Sequence, residues 1–216
     1  MKKLLYILVV GLIGLTACND DIEIWDSAVL DYSGTYVVDL TDVDGNVHHD
    51  MIEIYNTAAN VENEVIIDDH NGTIELRSKF SLDGDFSNFK SKSIDFADLA
   101  LNENAIADAK PETAPTGLDQ TASPETWYIK AAITEGKILP KGMTTEAGNV
   151  ADSIYMKVVL YSGTVNFKSA SVPTEYRANP DVEEFEWVFV DVAHDATKDE
   201  TVVISGNRYT GFPEDD

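Results

Sequence analysis

Cysteine is nearly absent: the 216 residues hold one, Cys18, so no disulfide can form within the chain. Basic residues are scarce as well. Lys and Arg number 15 against 39 Asp and Glu, for a formal charge of −24. That balance argues against a nucleic-acid partner, because phosphates are held by Lys and Arg that displace their counterions. No Gly-x-Ser-x-Gly occurs, and the βα alternation around such a nucleophile elbow is missing too. After residue 17 no apolar run is long enough to span a bilayer, which takes roughly 17–25 residues. What the chain does have is 44% hydrophobic residues, enough for a real core.

The first eighteen residues read as a leader. Lys2 and Lys3 form a charged start, Leu4 to Leu15 an almost unbroken apolar stretch, and Leu15-Thr-Ala-Cys18 follows where cleavage belongs. The tetrad resembles the bacterial lipobox, which implies cutting before Cys18 and acylation of its thiol. On this reading residues 1–17 are a lipoprotein signal peptide and 18–30 a lipidated tether. The body, 31–216, is a single domain. Cleavage removes two lysines and no acid, leaving the chain more acidic still. So acidic a surface is repelled by anionic head groups, so attachment falls to the acyl chains. Asn19, Asp20 and Asp21 resemble the acidic tags of surface-exported lipoproteins, so the expected location is the outer membrane, exposed at the cell surface or facing the periplasm.

Beyond the leader, short alternating runs separated by turn residues predict an antiparallel β protein. The expected strands are Gly34–Leu40, Val47–Tyr55, Glu64–Asp68, Thr73–Phe80, Trp127–Ile133, Asp152–Tyr161, Glu183–Val192 and Thr201–Thr210. Asp44-Gly45-Asn46 and His70-Asn71-Gly72 supply turns. Ser93–Ala109 is the one helix expected, with Phe96, Leu99, Ala100 and Ile106 on one face. Ala100 to Thr126, with Pro111, Pro115 and Pro124, reads as a long loop. Eight to ten strands at this spacing make a closed barrel or a sandwich.

Few residues carry chemistry. His48, His49, His70 and His194 sit at or near turns and strand ends, where imidazoles are usually solvated. Paired carboxylates mean little among so many acids. Asp42, Asp44, Asn46, His48, Asp50 and Glu53 occupy an EF-hand-like register, but position 6 is Val47 and the flanks read as strands. His48 and His49 would face opposite sides of a strand and cannot share a zinc. No catalytic residue, metal or cofactor is assigned. The aromatics give the remaining signal: Trp25, Trp127 and Trp187, with Tyr36, Tyr155 and Phe189, lie in or beside β runs. In a barrel interior they would line a cavity for an apolar ligand, and Trp127, Trp187, Tyr36, Tyr155 and Phe189 are the expected ligand-binding residues.

Gly136-Lys-Ile-Leu-Pro-Lys-Gly142, Val150-Ala-Asp-Ser-Ile-Tyr155, Gly206-Asn-Arg-Tyr-Thr-Gly-Phe212 and Gly34-Thr-Tyr36 together resemble a family of Gram-negative lipoproteins described as lipid-binding putative hydrolases. The resemblance runs from about Gly34 to Phe212. It implies an all-β, lipocalin-like antiparallel barrel and a lipid-type ligand, and it brings no catalytic residues. Gly34-Thr-Tyr36 also resembles the lipocalin opening Gly-x-Trp, with Tyr in place of Trp. The expected function is a membrane-anchored protein that binds a lipid-like or small apolar molecule. The alternatives are a hydrolase acting on a lipid or ester and an accessory structural lipoprotein of the envelope.

Overall fold

Tyr36, Val38 and Leu40 alternate with half-buried neighbours, and in the computed structural model of the protein they anchor the first strand, β1 (Gly34–Thr41). The structure describes residues 26–212 and 215. The leader, Cys18 and Trp25 lie outside them. β1 pairs with β2 (Val47–Asn56) across a five-residue turn that the Asp42 carboxylate organises. One oxygen accepts the N–H groups of Asp44 (2.9 Å) and Asn46 (2.8 Å), and the other takes the Asn46 amide at 2.7 Å. Gly45 adopts φ +85, which only glycine enters freely. The EF-hand-like register is therefore a hairpin between strands, with its first carboxylate spent on its own turn.

The chain continues antiparallel through β3 (Glu64–Asp68), β4 (Arg77–Asp85) and β5 (Asn88–Ser91). β4 starts later than the Thr73 expected. The Asp69 carboxylate accepts the N–H groups of Ile74 (3.0 Å) and Leu76 (2.8 Å), and Glu75 turns at φ +47, so this stretch loops before the strand begins. Ile74 and Leu76 are buried all the same, which is why the alternation looked like strand. The single helix expected over Ser93–Ala109 is two pieces. A one-turn 3-10 helix at Phe96–Asp98 and the α-helix α1 (Glu103–Asp108) flank extended residues at Leu99 and Asn102. Asn102, fully buried, holds the break open by bonding backbone on three sides: Arg77 N–H at 2.9 Å, Glu75 carbonyl at 2.9 Å and Tyr128 carbonyl at 2.8 Å.

The Pro-containing loop carries α1 and the two-residue β6 (Thr121–Ala122). Then come two long strands, β7 (Glu125–Thr144) and β8 (Val150–Ser171), followed by β9 (Phe185–His194) and β10 (Glu200–Arg208). Pairing runs β10-β1-β2-β3-β4-β5-β7-β8, and β8 also pairs β10. The ladder thus closes on itself as a barrel-like ring of eight strands, the all-β antiparallel fold expected. β8 runs past the ring at its C-terminal half, where β9 and β6 pair with it to form a wing.

A continuous cluster of buried side chains runs through the ring interior. Ile154, Met156, Val158 and Leu160 point inward from β8 as the alternation predicts, against Tyr36, Leu40, Ile52, Ile67, Phe80 and Ile133. Val29, within the stretch expected as tether, belongs to the same cluster. A smaller cluster of Ile129, Val165 and Phe167 lies in the wing, covered by Phe96, Ile106, Ala109 and Trp187.

Candidate functional site

Tyr36 is completely buried and braces one end of the ring. Its hydroxyl donates to the Tyr32 carbonyl at 2.8 Å, and the Arg208 guanidinium lies 5.6 Å from its ring centre. Arg208 in turn donates to the Asp31 carbonyl at 2.6 Å and stands 3.4 Å from Asp152. Burial pushes the phenol above its ordinary pKa, against the pull of the Arg208 charge. This pair ties the first and last strands to the turn at Ser27–Ser33, so that end is closed by the chain's own N-terminal turn.

Beside that turn a cleft of about 340 Å³ opens, lined by Ala28, Tyr32, Leu82, Phe86 and Phe89, with Glu62, Asn63 and Asp85 at its polar margin. The local sequence explains the shape. Gly84 at φ +97 lets β4 fold back on β5; a Cβ there would sit 2.2 Å from the Asn88 carbonyl oxygen. The Asp85 carboxylate accepts the Ser87 hydroxyl (2.5 Å) and the N–H groups of Ser87 (2.9 Å) and Asn88 (3.2 Å), which fixes the hairpin. These bonds, the hydroxyl's foremost, lower the carboxyl pKa. Phe86 and Phe89 then lie on one side of it, 5.7 Å apart. Tyr32 stacks on Phe86 at 4.1 Å with the rings nearly parallel, and Phe89 occupies the space a side chain at Gly136 would fill. The N-terminal turn is pinned from outside by Asn60, which accepts Ala28 N–H at 2.8 Å. The result is an aromatic surface continuous with the core and rimmed by acids. It can receive an apolar chain, and its margin disfavours a negative head group.

The residues expected to bind ligand are spread across the molecule. Tyr36 is in the closed end. Tyr155 is on the outer face of β8 beneath Lys137, 5.4 Å away. Trp127 is 43% exposed, edge-on to Tyr128 and under Lys198 at 5.8 Å. Trp187 and Phe189 belong to the wing. The Trp187 indole donates to the Thr113 carbonyl at 2.9 Å, and Phe189 packs edge-on to Phe167. Only these last two share a neighbourhood. The aromatics that do meet, Tyr32, Phe86 and Phe89, were missed, although Gly84-Asp-Phe-Ser-Asn-Phe89 places two aromatics around a turn.

One histidine stands apart. His49 and His70 pair with Asp39 (2.5 Å) and Glu53 (3.0 Å) but are largely solvated. His194 is 27% exposed in its side chain, and its Nε2 meets both oxygens of Asp199 at 2.9 Å. Its ring stacks on Phe96 at 4.5 Å and meets Tyr161 edge-on at 5.4 Å. Nearby, Lys130 is buried, donates to the Phe96 carbonyl at 2.7 Å, and has its pKa lowered by that burial. Lys130 ties the loop over Phe96 to β7, and the Phe96–His194 stack ties it to β9. His194 holds β9 against Tyr161 of β8 and against Asp199 before β10, so the cluster serves as the clamp between ring and wing.

The profile of a family described as lipid-binding putative hydrolase matches residues 21–213. The match covers most of the chain, and the chain belongs to that family. No curated protein matches it.

Proposed function

We propose that this member of the family binds a lipid-type molecule through its alkyl portion in the cleft of Tyr32, Phe86 and Phe89, while anchored to the outer membrane by acyl chains on Cys18. The observation that supports this reading is the cleft itself. Along the ring a continuous cluster of buried side chains forms the core, and at its end the largely buried Phe86 and Phe89 with Tyr32 border a cavity open beside them. Each methylene buried there contributes about 0.8 kcal/mol, so affinity rises with chain length until the cleft is full. Glu62 and Asp85 favour neutral or cationic head groups over carboxylates. The Leu15-Thr-Ala-Cys18 site and its apolar run support the anchor. Mass spectrometry of the membrane-extracted protein should find a mature chain starting at acylated Cys18; an unmodified Cys18 sinks that part of the proposal.

The binding test is calorimetry of residues 26–216 with monoacylglycerols and alkylamines of six to sixteen carbons. Binding that strengthens with length, and is lost in Ala28→Trp, which fills the cleft from the N-terminal turn against Leu82, Phe86 and Phe89, is the expected outcome, with urea unfolding showing that the variant stays folded. No binding at any length, or equal binding by Ala28→Trp, overturns the reading.

A further inference from the structure

β9 is the long strand that the ring does not close. Among the described residues it pairs with β8 alone. Val172 N–H donates to the Glu184 carbonyl at 2.9 Å, fixing which residues face β8. Phe185 and Trp187, one and three positions on, therefore turn their N–H and C=O groups to the open side. Open edges are templates for another strand, and proteins blunt them with lysine, proline, brevity or a β-bulge. β9 has only the last, an extra residue at Val190, which leaves Phe185–Phe189 as a regular edge. β9 is ten residues long, contains no Lys or Pro, and leaves Val188 (44%) and Val190 (54%) exposed. Its charge is one-sided. No Lys or Arg lies between Arg177 and Lys198, while Asp181, Glu183, Glu184, Glu186, Asp191 and Asp195 do.

We propose that the free edge of β9 accepts an extended, Lys- or Arg-bearing segment of a partner protein as an added strand. Main-chain hydrogen bonds to the open edge supply the affinity, and the acidic flanks supply the choice of partner. A second copy of this chain is disfavoured, because pairing β9 with β9 brings two acidic edges together in a protein of charge −24. An anionic membrane is repelled for the same reason. The inference is independent of the lipid cleft, which lies at the closed end of the ring.

The test uses a ten-residue capped peptide of alternating Lys and Val, its Glu–Val counterpart, and hydrogen exchange. The Lys peptide should protect amides within residues 185–194, and the Glu peptide should not. Glu186→Lys with Asp191→Lys should weaken that binding at least tenfold. Asp83→Lys with Glu135→Lys, an equal charge change on the ring, should weaken it far less. Protection elsewhere, or equal loss in both double variants, overturns the proposal. So does a peptide-free dimer protected at β9, which would assign the edge to a second copy.

Discussion

The ring and the wing are built from the same strands, since β7 and β8 run through both, yet they differ in how they end. In the ring every strand has a neighbour on each side, and its inward residues form one continuous cluster from Val29 to Ile204. Its thinnest seam is β5 against β7. There one residue pair, Phe89 opposite Gly136, is helped by the Ile138 N–H to Phe86 carbonyl bond at 2.6 Å and by Ser91 Oγ accepting Ile133 N–H at 2.9 Å. The wing's buried apolar cluster, among the described residues, is the small set Ile129, Val165 and Phe167, and the wing stops at an open strand. Closure, rather than strand composition, separates a region that stores stability from one that stays available to a partner. Local opening should therefore begin in the wing.

The largest effect that would break this comparison lies in the ring. Val158 is buried between Ile133 and Val202, its partners on β7 and β10. Val158→Asp places an unpaired carboxylate there and should cost about 4 kcal/mol or more. Urea unfolding should show loss of the whole cooperative transition, wing included. A near-neutral result would mean that this face is not the core. Next in size is Phe167→Ala, which removes the centre of the wing cluster at about 3 kcal/mol. Its expected signature is local: amides of Phe185–His194 lose exchange protection while those of β1, β2 and β10 keep theirs. Global destabilisation of equal size at both ends would show ring and wing to be one cooperative unit.

Much of the ring was legible in the sequence because its strands obey a single period. Val38 and Leu40, Ile52 and Ile54, and the β8 set from Ile154 to Leu160 all alternate cleanly, and each is buried. Legibility failed where the period breaks. β7 carries register shifts between Thr126 and Lys130, Ile133 and Glu135, and Leu139 and Met143, so its alternation could be followed only from Trp127 to Ile133. The first of these puts Trp127 out of line: Ile129 packs in the wing and Ala131 and Ile133 in the ring, while Trp127 is exposed. β5 has four residues and no alternation long enough to recognise. The cleft was illegible for a related reason. Tyr32, Phe86 and Phe89 come from a turn and a hairpin that meet only when the ring closes, and proximity across strands has no period along the chain.

The smallest predicted effect probes the joint between the two regions. Tyr128 lies at the start of β7, where ring and wing part, and its hydroxyl donates to Glu200 at 2.8 Å. Burial, then the bond to that carboxylate and its charge, raise the phenol pKa well above the ordinary 10.0. The folded chain therefore holds this proton more tightly than the unfolded chain does. The resulting stability is complete below pH 10 and is lost as pH rises through the folded value. Tyr128→Phe deletes the bond and leaves Glu200 without that donor, at a cost of about 1 kcal/mol near neutral pH. Because the variant has no phenol here to titrate, its deficit against the parent should narrow as urea midpoints are measured from pH 9 to 11.5. The absence of any deficit at neutral pH would mean Tyr128 contributes by packing alone, and the joint would then rest on the His194–Asp199 and Lys130 contacts instead.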